Sequence, residues 1–229
     1  MSSEIKADKW SPASGTSGTI GDSGDTFTVP SGVTFDIASG ATADFTGATV
    51  TGLTDNNTWV LLQTTTLSST TANVDFNNVF DSTYKNYVVL GSEIRGDVDN
   101  KILCRFGTGS TPTFDSTSNY ARVVSYVTSA GGDTIKHSTT DSGILVTPNN
   151  IDTSDGDASF RMVFPEPQNT SRRLQVYFEG TQYDGNMIYM AGTGRCDNIP
   201  FATPVTSVRY TPNTGAGFDS GTFKLYGVK

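Results

Sequence analysis

The chain has 229 residues and a formal net charge of −8. Its length suits a small shaft plus one globular domain, or at most two modest domains. Its scattered Lys and Arg form no basic stripe to displace counterions from phosphates, and no apolar run nears the about 20 residues that cross a bilayer, so neither nucleic acid nor membrane insertion is expected.

Residues 1–18, beginning MSSEIKADKWSP, are polar and aperiodic. They carry no apolar signal-peptide core, so synthesis in a cytoplasm without export by the usual route is the expectation. Ile5 and Trp10 are the large apolar groups there. A Trp in such a segment reads either as an interface anchor or as part of a disordered terminus.

Residues 26–47 read TFTVPSG, VTFDIASG, ATADFTG, punctuated by Gly24, Gly32, Gly40 and Gly47 at spacings of eight, eight and seven. Between the glycines apolar and polar side chains alternate, the period-two signature of a half-buried strand. Strands this short do not bury their apolar faces alone. Copies from neighbouring chains are therefore expected to complete the core of a thin β shaft over residues 19–55. Its core candidates are Phe27, Val29, Val33, Phe35, Ile37, Phe45 and Val50. Such a shaft points to a fibre and not to an enzyme.

Asp55 to Trp59, DNNTW, reads as a turn into a new domain. Short strands follow, expected at Trp59–Leu67, Tyr87–Ile94, Lys101–Phe106, Ala121–Thr128, Gly143–Thr147, Ser159–Phe164, Arg173–Glu179, Met187–Ala191, Val205–Tyr210 and Thr222–Tyr226. Gly131-Gly132, Pro148-Asn149-Asn150, Asp155-Gly156, Asp184-Gly185 and Asn213 mark turns. Many short strands at such spacing predict an antiparallel sandwich, jelly-roll-like, over residues 56–229. Leu174, Val176 and Phe178 should face the core and Gln175, Tyr177 and Glu179 the solvent, as should Phe223 and Leu225 against Lys224 and Tyr226. Tyr87 to Leu90 is apolar on both faces, which suits a central strand or a surface covered by another subunit. One helical turn is expected around Asp81–Lys85.

Catalytic chemistry is sparse. His137 lies in GGDTIKHSTT, beside Ser138 and Asp141, and reads as an exposed loop residue and not as part of a triad. Cys104 and Cys196 sit in strand-like stretches as expected buried thiols. No cofactor and no metal is expected: one His and two distant Cys make no ordinary zinc site. The acidic stretches Asp97–Asn100 and Asp152–Asp157 suit calcium in kind but lack the EF-hand pattern, and read as solvated turns. Arg172-Arg173 reads as a solvated strand end. Tyr183, Asp184, Asn186, Arg195, Asp197 and Asn198 combine an aromatic face with polar donors and acceptors, which suits sugars as well as ordinary loop chemistry.

Two stretches carry a resemblance. NVFDSTYKNYVVL (Asn78 to Leu90) and FDSGTFKLYGVK (Phe218 to Lys229) resemble the C-terminal heads of bacteriophage tail fibres and related virion fibres. SEIKADKWSPASG, followed by GDTFTVPSGVTFDIASGAT, resembles the N-terminal part of fibres from short-tailed marine phages of the cyanophage type. The resemblance implies a homotrimer with an N-terminal adaptor, a threefold shaft and a β-sandwich knob, assembled in the host bacterial cytoplasm and carried on the virion. Ile5, Lys6, Trp10 and Pro12 then fall in the virion anchor, whose partners are tail adaptor or nozzle proteins, or the capsid. The six loop residues Tyr183, Asp184, Asn186, Arg195, Asp197 and Asn198 become candidates for a host surface glycan or outer-membrane protein. The alternatives are a capsid fibre or decoration protein of structural role, and a fibre-borne polysaccharide depolymerase.

Overall fold

The computed structural model describes residues 59–151, 153, 156–214 and 217–229, together with Thr26, Thr28 and Ser31. The expected anchor residues Ile5, Lys6, Trp10 and Pro12, the expected shaft residues Phe27, Val29, Val33, Phe35, Ile37, Phe45 and Val50, and the acidic Asp152 and Asp155 lie outside the described residues.

The described chain is all-β, and its sheets are antiparallel throughout. Thirteen strands occur: β1 (Trp59–Leu67), β2 (Val74–Phe76), β3 (Asn86–Gly96), β4 (Ile102–Thr108), β5 (Thr113–Phe114), β6 (Tyr120–Thr128), β7 (Asp133–Asp141), β8 (Ile144–Leu145), β9 (Ala158–Pro165), β10 (Gln175–Tyr183), β11 (Met187–Cys196), β12 (Ser207–Pro212) and β13 (Phe218–Val228). Eight form one sheet in the order β1-β13-β3-β9-β10-β11-β6-β7. The second sheet runs β2-β12-β4-β5, and β8 also pairs with β4.

The two sheets share one core, because each strand turns its alternate apolar side chains inward. Rings from opposite sheets meet there. Tyr210 of β12 lies 5.4 Å from Phe160 and 5.2 Å from Phe223, and Phe106 of β4 lies 6.2 Å from Phe164. The Tyr120 hydroxyl, brought into this core, is bonded on both sides: it accepts from Phe106 N at 2.9 Å and donates to Asp115 O at 3.1 Å, tying β6 to β4. Cys104 and Cys196 are buried free thiols, as the sequence suggests.

The expected face assignments match the burial. Leu174, Val176, Phe178, Phe223 and Leu225 are buried, while Gln175, Tyr177 and Lys224 are exposed. β3 is a central strand, paired with β13 on one side and β9 on the other, which explains why Tyr87, Val88 and Val89 are all buried. No helical turn forms at Asp81–Lys85. The Asp81 carboxylate instead accepts from Thr83 N at 2.8 Å and from the Tyr87 hydroxyl at 2.9 Å, a local bond pattern that competes with helix. His137 is likewise not in a loop: it lies on the edge strand β7, facing outward opposite Val123.

The outward face of the larger sheet carries one unbroken cross-strand row. It runs Leu61–Tyr226–Val88–Val163 across β1, β13, β3 and β9. It continues Tyr177–Thr193–Val123–His137 across β10, β11, β6 and β7.

Candidate functional site

The six loop residues singled out from the sequence do not form one patch. Tyr183, Asp184 and Asn186 sit at the β10–β11 hairpin, whose turn Gly185 makes with a φ of +91°. Arg195, Asp197 and Asn198 sit at the other end of β11, where Arg195 pairs with Gln175 of β10. Eight strand steps separate the two groups, roughly 26 Å.

The hairpin group borders a polar cleft of about 330 Å³ lined by Asp99, Lys101, Asn149, Asn150 and Asp184. Three parts of the chain supply it: the β3–β4 loop, the loop after β8 and the hairpin. The middle loop is held from beneath. Gln182, inward-facing on β10 and 2% exposed, donates its amide to Asn149 O at 3.1 Å and Asn150 O at 3.2 Å. Lys136 of β7 donates to Pro148 O at 2.9 Å and Asn149 Oδ1 at 2.7 Å. Asn149 then donates from Nδ2 to Asp184 Oδ2 at 2.7 Å, joining loop to hairpin. On the other wall Asp99 Oδ1 accepts from Thr153 N and Oγ1, both at 3.1 Å. Lys101 is fixed by its backbone, which donates to Asn213 Oδ1 at 2.8 Å. Partial burial lowers the Lys101 pKa, and the neighbouring Lys136 and Arg122 charges add to that effect.

This cleft sets carboxylates, an ammonium and amides around a space large enough for part of a sugar. Carboxylates accept from hydroxyls, the ammonium donates, and the Asn150 amide does both. The loop is pre-organised, so little ordering cost remains on binding. Among the described residues no three His, Cys, Asp or Glu come together to hold a metal ion. Ser138 Oγ accepts from Thr140 N, and Asp141 is engaged by Arg122, so both possible partners of His137 are bonded elsewhere.

At the far end of β11 the bonding is structural. Asn198 donates to Asp115 Oδ2 at 2.7 Å, and Arg195 pairs with Asp197 at 2.8 Å. Burial opposes the Asp115 charge, but bonds from Thr117, Asn198 and Cys196 outweigh it and hold the carboxyl below its usual pKa. Asn198 and Asp115 border a hollow of about 380 Å³ with Phe114. Arg209 stacks on that ring at 4.2 Å while its guanidinium grips Asp75 at 2.7 and 2.6 Å. Arg195 itself turns onto the outward sheet face.

Sequence reasoning missed four of the five cleft residues as a group. Pro148-Asn149-Asn150 carried a turn signal and Asp97–Asn100 an acidic one, but nothing local joined them to Lys101 and Asp184. Comparison with known proteins adds no relative: no protein-family model, no curated protein and no solved structure matches the chain.

Proposed function

We propose that the chain is a bacteriophage virion fibre protein: an anchor over residues 1–18, a homotrimeric β shaft over 19–55 and a jelly-roll-like head that binds a host surface glycan. The observation that carries the binding part is the pre-organised cleft of Asp99, Lys101, Asn149, Asn150 and Asp184 at one end of a rigid sandwich. Loops displayed by a rigid scaffold are where recognition concentrates. Three heads on one shaft make weak single sites add up to firm attachment.

The fibre part is supported by the likeness at Asn78–Leu90 and Phe218–Lys229. Those segments hold the first half of β3 and the whole of β13, neighbouring strands of the larger sheet that pair with Val88 opposite Tyr226. The two segments are thus neighbours in the folded chain, which is compatible with their belonging to one head.

The test uses the full chain on an array of bacterial lipopolysaccharides and capsular polysaccharides. Retention on one polysaccharide, lost in Asp184→Ala and Lys101→Ala with unchanged circular dichroism, supports the reading. Retention that survives both changes moves the site elsewhere on the head. Reducing ends released from the polysaccharide replace binding with a depolymerase. Incorporation into virions without retention on any glycan favours the structural fibre, and a chain lacking residues 1–18 should fail to incorporate.

A further inference from the structure

Among the described residues, eleven large hydrophobic side chains are exposed, and nine of them lie on strands of the eight-stranded sheet. The other two are Val98 and Phe201. The apolar surface is thus concentrated and not scattered. Ile135 is 68% exposed, Met187 58%, Leu61 and Tyr177 52%, Tyr189 51%. Tyr189 opposes Val127 on β6, and Tyr177 belongs to the row that crosses every strand of the sheet. Concentrated exposed apolar surface of this kind marks an interaction site.

We infer that this face packs against a second copy of the chain. Three observations select that occupant. The first is size. Eight strands about 4.8 Å apart and about nine residues long give a face of roughly 34 by 26 Å, about 900 Å². A standard interface takes about 800 Å² from each partner.

The second is charge. The chain carries −8 overall, so two copies repel through most of their surface. The strands of this face carry Lys224, Arg161, Arg195 and Arg95 against Glu179, Asp133, Glu93 and Asp219, and Arg161 bonds Glu179 at 2.7 Å within the sheet. Here like copies meet without net negative charge.

The third is side-chain chemistry. Leu61, Val123, Val127 and Ile135 are aliphatic and offer a sugar no hydrogen bond. Branched aliphatic side chains on a sheet suit interdigitation with another sheet about 10 Å away. Interfaces between like subunits are also the more apolar class.

The inference rests on the chain forming oligomers, as the fibre reading requires, but it assigns the contact to the head and not to the shaft. The experiment is hydroxyl-radical footprinting of the full chain with native mass measurement in parallel. Rates at Met187, Tyr177 and Tyr189 are corrected for intrinsic reactivity and compared with Phe201, which is 52% exposed and off this face. The expected result is an oligomer in which the three face residues react several-fold more slowly than Phe201. In the Val127→Glu, Ile135→Glu double variant, folded by circular dichroism, they should react at the Phe201 rate. An oligomer whose face reacts as fast as Phe201 overturns this inference and leaves the fibre reading standing. A monomer overturns both. Protection that appears only on adding polysaccharide or lipid vesicles assigns the face to that partner and overturns the inference as well.

Discussion

The ring of Tyr84 lies over the backbone of Gly227. A Cβ at Gly227 would meet Tyr84 Cδ1 at 2.7 Å and come closer still to Cγ and Cδ2. Tyr84 belongs to the segment that leads into β3, and Gly227 to the last turn of pleat in β13, which pairs with β3. The glycine of the terminal Tyr-Gly pair is therefore fixed by a tyrosine more than a hundred residues earlier.

Gly227→Ala should destabilise the fold by about 1–3 kcal/mol, the usual cost of forcing atoms into a filled site. Tyr84→Ala removes the obstacle, so Gly227→Ala should cost much less in that background. Urea unfolding of the two single variants and the double variant measures the coupling. Additive costs would show that the ring and the glycine are unrelated.

The buried tyrosines predict how the fold responds to alkali. Burial raises the Tyr87 pKa to about 12, and its bonds to Asp81 add to and subtract from that shift. Tyr120 and Tyr210 are likewise pushed well above the ordinary tyrosine value, again chiefly by burial. A phenol whose folded pKa exceeds its unfolded value near 10 contributes stability that is complete below pH 10 and lost as pH rises through the folded value. Spectrophotometric titration should show the phenols of Tyr87, Tyr120 and Tyr210 withheld from ionisation well past the ordinary tyrosine range, until alkaline unfolding exposes them. Ionisation of these three near pH 10 in the folded protein would contradict the bonded core.

Acid acts most strongly through Glu166, beside the more modestly lowered Asp81 and Asp115. Its carboxylate accepts from Arg172 at 2.8 Å and Asn169 at 3.0 Å and lies 3.2 Å from Lys85. Arg172 first, then Asn169 and Lys85, lower its pKa from 4.5 to about 2. A depressed folded pKa contributes stability above the unfolded value that is lost as pH falls through the folded one. The window is thus pH 4.5 down to 2. Glu166→Gln should flatten that part of the stability profile, and side-chain NMR titration of Glu166 should find its midpoint near the lower limit. A midpoint at the ordinary value would mean the three contacts do not persist in solution.

Legibility in the sequence followed how much local pattern each element needed. β1 spans Trp59–Leu67, the bounds its apolar start and Thr run suggest. β10 and β13 declared their faces by alternation. β7 was invisible because it pairs on one edge only and holds a single large apolar residue, Ile135, in DTIKHSTTD. β2 and β5, of three and two residues, are shorter than any period. β11 runs on past the expected end at Ala191 to Cys196, through a Gly-Thr-Gly stretch with no apolar alternation. It stays a strand because Gly192 sits against the Phe178 ring and Gly194 against Ile144, where larger side chains would clash. The Ser-Gly-Thr motif of the ending has a tertiary cause too: Gly221, at a φ of +121°, sits in the bulged stretch where β13 slips register against β3. The cleft was half legible. Asp184 and Asn186 stood out beside a turn glycine, but grouping them with Arg195, Asp197 and Asn198 took neighbours along a strand for neighbours in space. Asp99 and Lys101 reach the cleft through pairings that only the folded sheets create.

The cleft should depend most on a residue that does not line it. Gln182 is buried and satisfies three backbone groups of the loop after β8: two carbonyls by donation and Asn149 N, at 3.4 Å, by acceptance. Gln182→Ala leaves those groups unpaired and should cost about 1–3 kcal/mol. Amide exchange at Asn149 should quicken several-fold, while Ile151, whose N–H bonds Asn100 O at 2.8 Å, stays protected. Glycan retention should weaken although no lining residue has changed. Gln182→Glu separates packing from bonding. It keeps the volume and can still accept from Asn149 N, but an ionised carboxylate has no proton for the carbonyls of Asn149 and Asn150 and repels both. At neutral pH it should therefore behave at least as badly as alanine. Should Gln182→Glu leave exchange and retention at wild-type levels, the loop is held by Lys136 and Asp184 alone, and the glutamine is no more than filler.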